Sequence, residues 1–158
     1  MKTAEDILSE KTRRLISVPY DTPIFESVQQ MVSQKIGAIL VEKEGTLVGI
    51  WTERDFLRNS IEEGFDPKRD KIGDHMVSPL ISVSMDTPLV KLQEMFIGLF
   101  IRHILIKEDE TYIGMLSIGD VMRCLMLEKD HQIKELNKIA SWEYYENWGW
   151  HHKHGKKK

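Results

Sequence analysis

Strand-like and helical runs of apolar residues alternate along this chain in a fixed order. Leu15–Val18 is a short, β-branched run that predicts a strand. Asp21-Thr22-Pro23 signals a helix start, with Thr22 as the cap and Pro23 in the first turn, where its missing N–H does no harm. Ile24, Val28, Met31 and Val32 follow at helical spacing and predict one buried face. Ile36–Val41 is an unbroken apolar run rich in β-branched residues, the mark of a buried strand. Polar Glu42-Lys43-Glu44-Gly45 turns the chain, and Thr46–Trp51 pairs back as a hairpin partner. A helix from about Glu53 to Glu62 closes a β-α-β-β-α unit, and Ala4–Leu8 reads as a short helical lead-in to it.

The same order then returns. Asp74–Met76 leads in, Leu80–Val83 is a strand, and Pro88–Phe100 is a helix with Leu89, Leu92, Phe96 and Leu99 facing inward. Ile101–Ile106 and Thr111–Leu116 form a strand pair across Lys107-Glu108-Asp109-Glu110, and a last helix starts near Ile118 and runs past Leu127. Laid on itself with a shift of 65, the chain matches at 14 of 47 positions from Leu15 to Ile61, among them Leu15–Val18, Asp21–Pro23, Gly49, Asp55 and Arg58. Average composition gives roughly three such matches. Upstream the shift becomes 68, aligning Asp6 with Asp74, so the first copy carries three extra residues near Lys11–Arg14. Two tandem copies of one unit follow. Gly64–Asp70, with Gly, Pro and charges, is the natural linker, which divides the chain into residues 1–66, 67–129 and a terminal segment 130–158.

Each copy closes on Gly-x-x-Ser/Thr-x-x-Asp: Gly49, Thr52 and Asp55, then Gly114, Ser117 and Asp120. A hydroxyl and a carboxylate at that spacing sit together at a helix start, where unpaired N–H groups and the positive end of the helix dipole favour anions. The carboxylate can accept from two hydroxyls at once, which suits a ribose. The same spacing is a capping-box variant, and capping boxes are far commoner than ligand sites. Recurrence in both copies favours the ligand reading.

Composition narrows the classes. With 158 residues, 41% hydrophobic and 30% charged, the chain can bury a sound core. A net charge of −3 argues against general nucleic-acid binding. A single cysteine, Cys124, fits a reducing compartment; acids stand where a signal peptide would be apolar; and the longest apolar run, Met95–Ile101, is too short to span a bilayer. The expected location is the cytoplasm. No Walker loop, dinucleotide fingerprint, zinc-protease helix or nucleophile elbow occurs, and Cys124 reads as core, so no enzyme is expected.

The tandem units closing on Gly-x-x-Ser/Thr-x-x-Asp resemble the CBS-domain pair, or Bateman module, over about Ala4–Lys129. Ile36–Val41 with Thr52–Asp55, and Ile101–His103 with Ser117–Asp120, resemble small stand-alone bacterial CBS-pair proteins. Leu105 departs from the pattern, standing where many relatives have proline. The resemblance implies an α+β fold of two units packed about a pseudo-two-fold axis, with two clefts for adenosine-type ligands (AMP, ATP, NAD or, less expected, S-adenosylmethionine). It also implies a homodimer. Asp55 and Asp120 are then the ribose candidates, and Thr52 and Ser117 offer hydroxyls to ribose or phosphate. Arg102 and His103 interrupt an apolar strand where the first copy has Gly37 and Ala38, so they are phosphate candidates; Arg54, in a first turn, is a weaker one. Val18, Ile36, Gly37, Ala38, Ile50, Val83, Ile101 and Met115 are candidates for the adenine slots, with core packing as their commoner role. Unequal residues in the two copies predict clefts of unequal phosphate charge.

Beyond the repeats, Ile133, Leu136, Ile139 and Ala140 continue a helical stripe that predicts packing on the body or on a second subunit. Trp142, Tyr144, Tyr145, Trp148 and Trp150 follow as a candidate docking patch for an effector protein or, less favoured, a membrane surface. His151, His152 and His154 have no cysteine or carboxylate to complete a metal site, and Lys156–Lys158 is a solvated basic end. The expected function is regulatory: an adenine-nucleotide sensor that passes its occupancy to a partner. The alternative is a scaffold whose clefts are empty or filled by its own side chains.

Overall fold

The computed structural model describes residues 1–11 and 14–140. A short helix α1 (Ala4–Ser9) precedes the first unit, which is β1 (Ser17–Pro19), α2 (Ile24–Gln34), β2 (Ala38–Lys43), β3 (Thr46–Thr52) and α3 (Glu53–Ser60). A second short helix, α4 (Ile72–His75), precedes β4 (Ser82–Ser84), α5 (Leu89–Leu99), β5 (His103–Glu108), β6 (Thr111–Ser117) and α6 (Ile118–Ala140). The fold is α+β, with two three-stranded sheets ordered β1-β2-β3 and β4-β5-β6. In each, the first pair is parallel and the second antiparallel.

The repeat reaches the backbone. Ser17 lies opposite Leu40 and Ser82 opposite Leu105; Ala38 faces Thr52 and His103 faces Ser117. Both hairpins shift register at the same place, between Val41 and Glu42 and between Ile106 and Lys107. Left-handed residues end α2 and α5 at Lys35 (φ 55°) and Phe100 (φ 52°) and turn the hairpins at Glu44 and Asp109. All four are non-glycine residues in a sparsely allowed region, and the two pairs fall at matching positions.

Three local expectations are corrected. Pro23, not Thr22, occupies the cap of α2, without a side-chain bond, and Pro88 does the same for α5. The Pro23 and Pro88 carbonyls instead accept from Ser27 and Leu92 as the helices begin. The buried stripe of α2 is Ile24, Ser27 and Met31, leaving Val32 exposed, and Leu99 on α5 is half exposed. Ile36 and Ile101 precede their strands, so Arg102 lies in the approach to β5 with its side chain exposed, not within a buried strand.

The cores are completed by exchange. Ile72 of α4 is fully buried among Val18, Ile24, Met31, Ile39, Val41 and Trp51 of the first unit. Ala4, Ile7 and Leu8 of α1 are buried among Leu89, Leu92, Phe96, Ile104, Ile106 and Leu116 of the second. Backbone bonds follow the same exchange: Ile24 N–H donates to Asp70 and Ile72 N–H to Thr22, while Leu89 N–H donates to Lys2 and Ala4 N–H to Thr87. Each lead-in therefore leaves the repeat it precedes in sequence and completes the other one. That reciprocity is the pseudo-two-fold relation expressed in packing. Gly49 and Gly114 make it possible, since a Cβ at either would collide with Met76 or Leu8.

Gly114→Ala should cost about 1–3 kcal/mol by driving Leu8 from its place. Gly49→Ala should cost less, because flexible Met76 can yield where branched Leu8 cannot. Urea midpoints of the two variants check the order.

Candidate functional site

Both strand-to-helix junctions are built alike. Thr52 leaves β3 in an extended conformation, and its side chain accepts from the Asp55 N–H at 3.4 Å. Asp55 Oδ2 accepts in return from the Thr52 N–H (2.9 Å) and Thr52 Oγ1 (3.0 Å). In the second copy the Ser117 N–H donates to Asp120 Oδ2 at 2.8 Å, and the Asp120 N–H to Ser117 Oγ at 3.2 Å. Both carboxylates thus cap helices, as the commoner reading of the motif has it. Their outer bonds differ. Asp55 Oδ1 accepts from Arg58, whose side chain is 68% exposed, at 2.9 Å. Asp120 Oδ2 accepts from Lys11 Nζ at 2.8 Å, and the same ammonium donates to the Met115 carbonyl at 3.1 Å.

A cavity of about 250 Å³ opens between the units. One wall brings Gly37, Ile50, Thr52, Glu53, Arg54, Asp55 and Arg58 from the first unit; the other brings Val77, Pro79, Ile81, Phe100, Ile101, Arg102 and His103. Ile50 and Val77 clasp the two walls by reciprocal backbone bonds of 3.0 and 2.7 Å. The hollow therefore combines an apolar slot, a carboxylate already tied to a hydroxyl, and cationic or imidazole donors at its rim. The Asp55 residue is 5% exposed, so what it presents is one edge of a mostly buried carboxylate. Two larger hollows, of about 450 and 860 Å³, lie on the helical faces beside α2/α3 and along α6. They are wider but lack the paired walls and the motif carboxylates, so volume alone does not mark the site.

Charge is tuned between the two junctions. Burial pushes the His103 imidazole below its usual 6.5, and the positive charges of Lys11 and Arg102 push the same way against Asp120 and Glu53. Burial alone would raise the Asp120 carboxyl, but the bonds from Lys11 and the Ser117 N–H outweigh it and hold the carboxyl below the usual carboxylate value.

Of the residues expected from sequence, Thr52, Arg54, Asp55, Arg102 and His103 meet in one cleft with Gly37, Ile50 and Ile101. Ser117, Asp120 and Met115 gather instead at the other junction, around Lys11. Val18 and Ala38 are 3% exposed and lie in the packed interior of the first unit, and Val83 packs on the core of the second. Ile36 borders the hollow beside α2. The sequence pattern does not single out Arg58, although it recurs as Arg123, nor Val77, Pro79 and Ile81 of the second lead-in. It also left Lys11 unassigned within the three-residue insertion. The aromatic cluster and the histidines from Trp142 to His154 lie outside the described residues. Among the described residues no helix is long and apolar enough to cross a membrane.

Tandem β-α-β-β-α units that trade lead-ins and share an inter-unit cleft define a class of paired-repeat modules. The sequence matches the CBS domain at residues 4–62 and 72–127, and the chain belongs to the CBS-domain family. It is 37% identical over 122 residues to the Arabidopsis thaliana CBS domain-containing protein CBSX3, mitochondrial, covering 74% of this chain and 59% of that protein's length. The crystal structure of the CBS-domain protein NE2398 superposes with a TM-score of 0.75 at 32% identity, over 80% of this chain and 99% of that one. PAE2072 from Pyrobaculum aerophilum, a CBS domain protein complexed with AMP, shares the fold at 22% identity, with a TM-score of 0.68 over 80% of this chain and 97% of its own. CBS-domain proteins are generally regulatory modules, not enzymes.

The depressed His103 makes stability pH-dependent. Between its folded value and 6.5 the unfolded chain binds more protons, so stability rises with pH there and falls as pH drops below 6.5. His103→Gln removes that contribution. In urea titrations from pH 7.5 to 5, the midpoint of the wild type should fall relative to that of the variant as the pH passes below 6.5.

Proposed function

We propose that this chain is a regulatory module that binds an adenine nucleotide of the AMP type in the Asp55 cleft. The observation that carries the reading is the cleft itself: Asp55 and Thr52 on one wall, Arg102 and His103 on the other, and Ile50, Val77, Ile81 and Ile101 between them. The base takes the apolar slot, a ribose hydroxyl replaces the exposed Arg58 at Asp55 Oδ1, and the phosphate meets Arg102, His103 or Arg54. At about 250 Å³ the cavity is slightly smaller than the roughly 300–1,000 Å³ usual for ligand pockets. That size suits a nucleoside with its phosphate at the open rim better than a dinucleotide such as NAD. The AMP complex of PAE2072 supports the choice of ligand.

Because the walls belong to different units, a bound nucleotide favours whichever relative placement lets it touch both, and it shifts that equilibrium by its differential affinity. The module is not catalytic in this reading. It acts in the cytoplasm and passes its occupancy to an effector protein through α6 and the residues beyond it.

A homodimer belongs to the same proposal. Val32, Leu57 and Ile61 are 72%, 70% and 87% exposed, and their counterparts 65 residues on, Ile97, Met122 and Met126, are 62%, 46% and 67% exposed. Apolar side chains repeated in register on the helical faces of both units suit a second copy, which buries both sets at once.

AMP at 100 times its dissociation constant should add about 2.7 kcal/mol of stability. For a domain of this size that is a rise in melting temperature of roughly 5–10 °C. Asp55→Ala should abolish the rise. Absence of any shift with AMP, ADP, ATP, NAD or S-adenosylmethionine, with and without Mg²⁺, would leave the scaffold reading in its place. Light scattering should find a dimer, and Leu57→Glu combined with Met122→Glu should give a monomer; a wild-type monomer would remove the dimer from the proposal.

A further inference from the structure

The repeat carries the residues of the Asp55 cleft onto a second set, where the twin of that cleft is expected. A shift of 65 carries Ile50, Thr52 and Asp55 onto Met115, Ser117 and Asp120, and the opposite shift carries Ile81, Ile101 and His103 onto Ile16, Ile36 and Ala38. The two clefts differ most where each lead-in runs on to its strand. After α4 this stretch is short, and the Val77 N–H donates to the Ile50 carbonyl at 2.7 Å. After α1 it carries the three extra residues, and the Lys11 ammonium donates to the matching carbonyl, Met115, at 3.1 Å. The same ammonium reaches on to Asp120 Oδ2 at 2.8 Å.

The partners of the two carboxylates come from different distances along the chain. Asp55 is held by Arg58, three residues on in its own helix, whose side chain is 68% exposed and free to swing into water. Among the described residues, Asp120 takes Lys11, 109 residues away in sequence, on Oδ2, the oxygen that also accepts from the Ser117 N–H, whereas Arg58 takes the other oxygen of Asp55. The Lys11 side chain is 35% exposed and that of Asp120 16%, so the pair is substantially withdrawn from solvent. Lys11 is also anchored from behind, because it follows α1, whose Ile7 and Leu8 are buried in the second unit.

We propose that Lys11 is a tethered occupant of the second cleft. Its ammonium holds Asp120 and the Met115 carbonyl together and neutralises the carboxylate a ribose would meet, so each chain offers one open nucleotide site, at Asp55, and one site closed by its own side chain. The proposal rests on the nucleotide reading of the Asp55 cleft. A nucleoside whose ribose takes both oxygens of Asp120 must break a partly desolvated, charge-assisted bond and leave Lys11 to find another partner. At Asp55 it displaces only an arginine that water already solvates. Lys11 thereby fixes stoichiometry and decides which of two chemically similar clefts senses ligand.

Calorimetric titration of the full chain with AMP tests this. The wild type should bind one AMP per chain, with the site lost in Asp55→Ala. Lys11→Met, which keeps the length and removes the charge, should bind two, and the added site should vanish in Lys11→Met with Asp120→Asn. Urea unfolding checks that each variant is folded. Two sites in the wild type, or a single site in Lys11→Met that Asp55→Ala removes, would overturn the proposal and leave the Asp55 reading intact. No site in the wild type and one in Lys11→Met that depends on Asp120 would support the closure and defeat the Asp55 reading. No binding by either protein would defeat both. Reductive methylation read by mass spectrometry gives a second measurement. Lys11 should react more slowly than an exposed lysine such as Lys91, with no change on saturation with AMP; protection of Lys11 by AMP would make it a ligand contact and overturn the closure.

Discussion

The reciprocal burial of the two lead-in helices is the constraint on which the rest depends. Neither unit closes its own core: Ile72 fills the first and Leu8 the second, with Met76 of one lead-in against Gly49 and Leu8 of the other against Gly114. Burying such a side chain is worth about 1.5–3 kcal/mol, a large share of the stability of a small domain. The exchange therefore ties folding of each half to the presence of the other. It also sets what meets each helix start, because the segment that follows each lead-in runs beside the opposite strand-to-helix junction. In one case that segment supplies Val77 and Pro79, and in the other it supplies Lys11.

A second tension lies at the two helix starts. Hydroxyl and carboxylate satisfy the first backbone N–H groups, and the same atoms would have to serve a ligand. An ionised carboxylate has about four lone-pair positions, and capping engages one oxygen of each aspartate in these junctions. The remaining oxygen of Asp55 is the one that faces Arg58. A ligand at Asp55 would leave capping and binding divided between the two oxygens of a single side chain, with the cap already holding the carboxylate in position.

The shape of each unit was legible because a gapless repeat doubles every weak signal. Thr46–Trp51 alone is an ordinary short strand run; with Thr111–Leu116 beside it, the hairpin and its partner are overdetermined. The Ser/Thr-x-x-Asp junction could be read in both its roles for the same reason. What escaped was whatever depends on contact between the copies. Nothing in the spacing of Ala4, Ile7 and Leu8 says which unit they pack against, and a helical stripe read one position off puts Val32 inside when Ser27 is there instead. The order Arg102-His103 suggested a buried arginine, but the strand starts one residue later and frees the guanidinium. Lys11 was visible only as part of an insertion, because a side chain that bridges 109 positions leaves no periodic trace.

The last helix has a mechanical consequence. α6 starts at the Ser117–Asp120 junction and runs unbroken for 23 residues, with Lys129–Lys138 exposed along its outer half. At about 1.5 Å per residue it is a rod of roughly 35 Å pivoted at its first turn. Tilting such a rod by about 5° at the pivot carries its far end about 3 Å. A sub-ångström adjustment around Asp120, too small to alter the sheets, becomes at Ala140 a displacement comparable to a hydrogen-bond length.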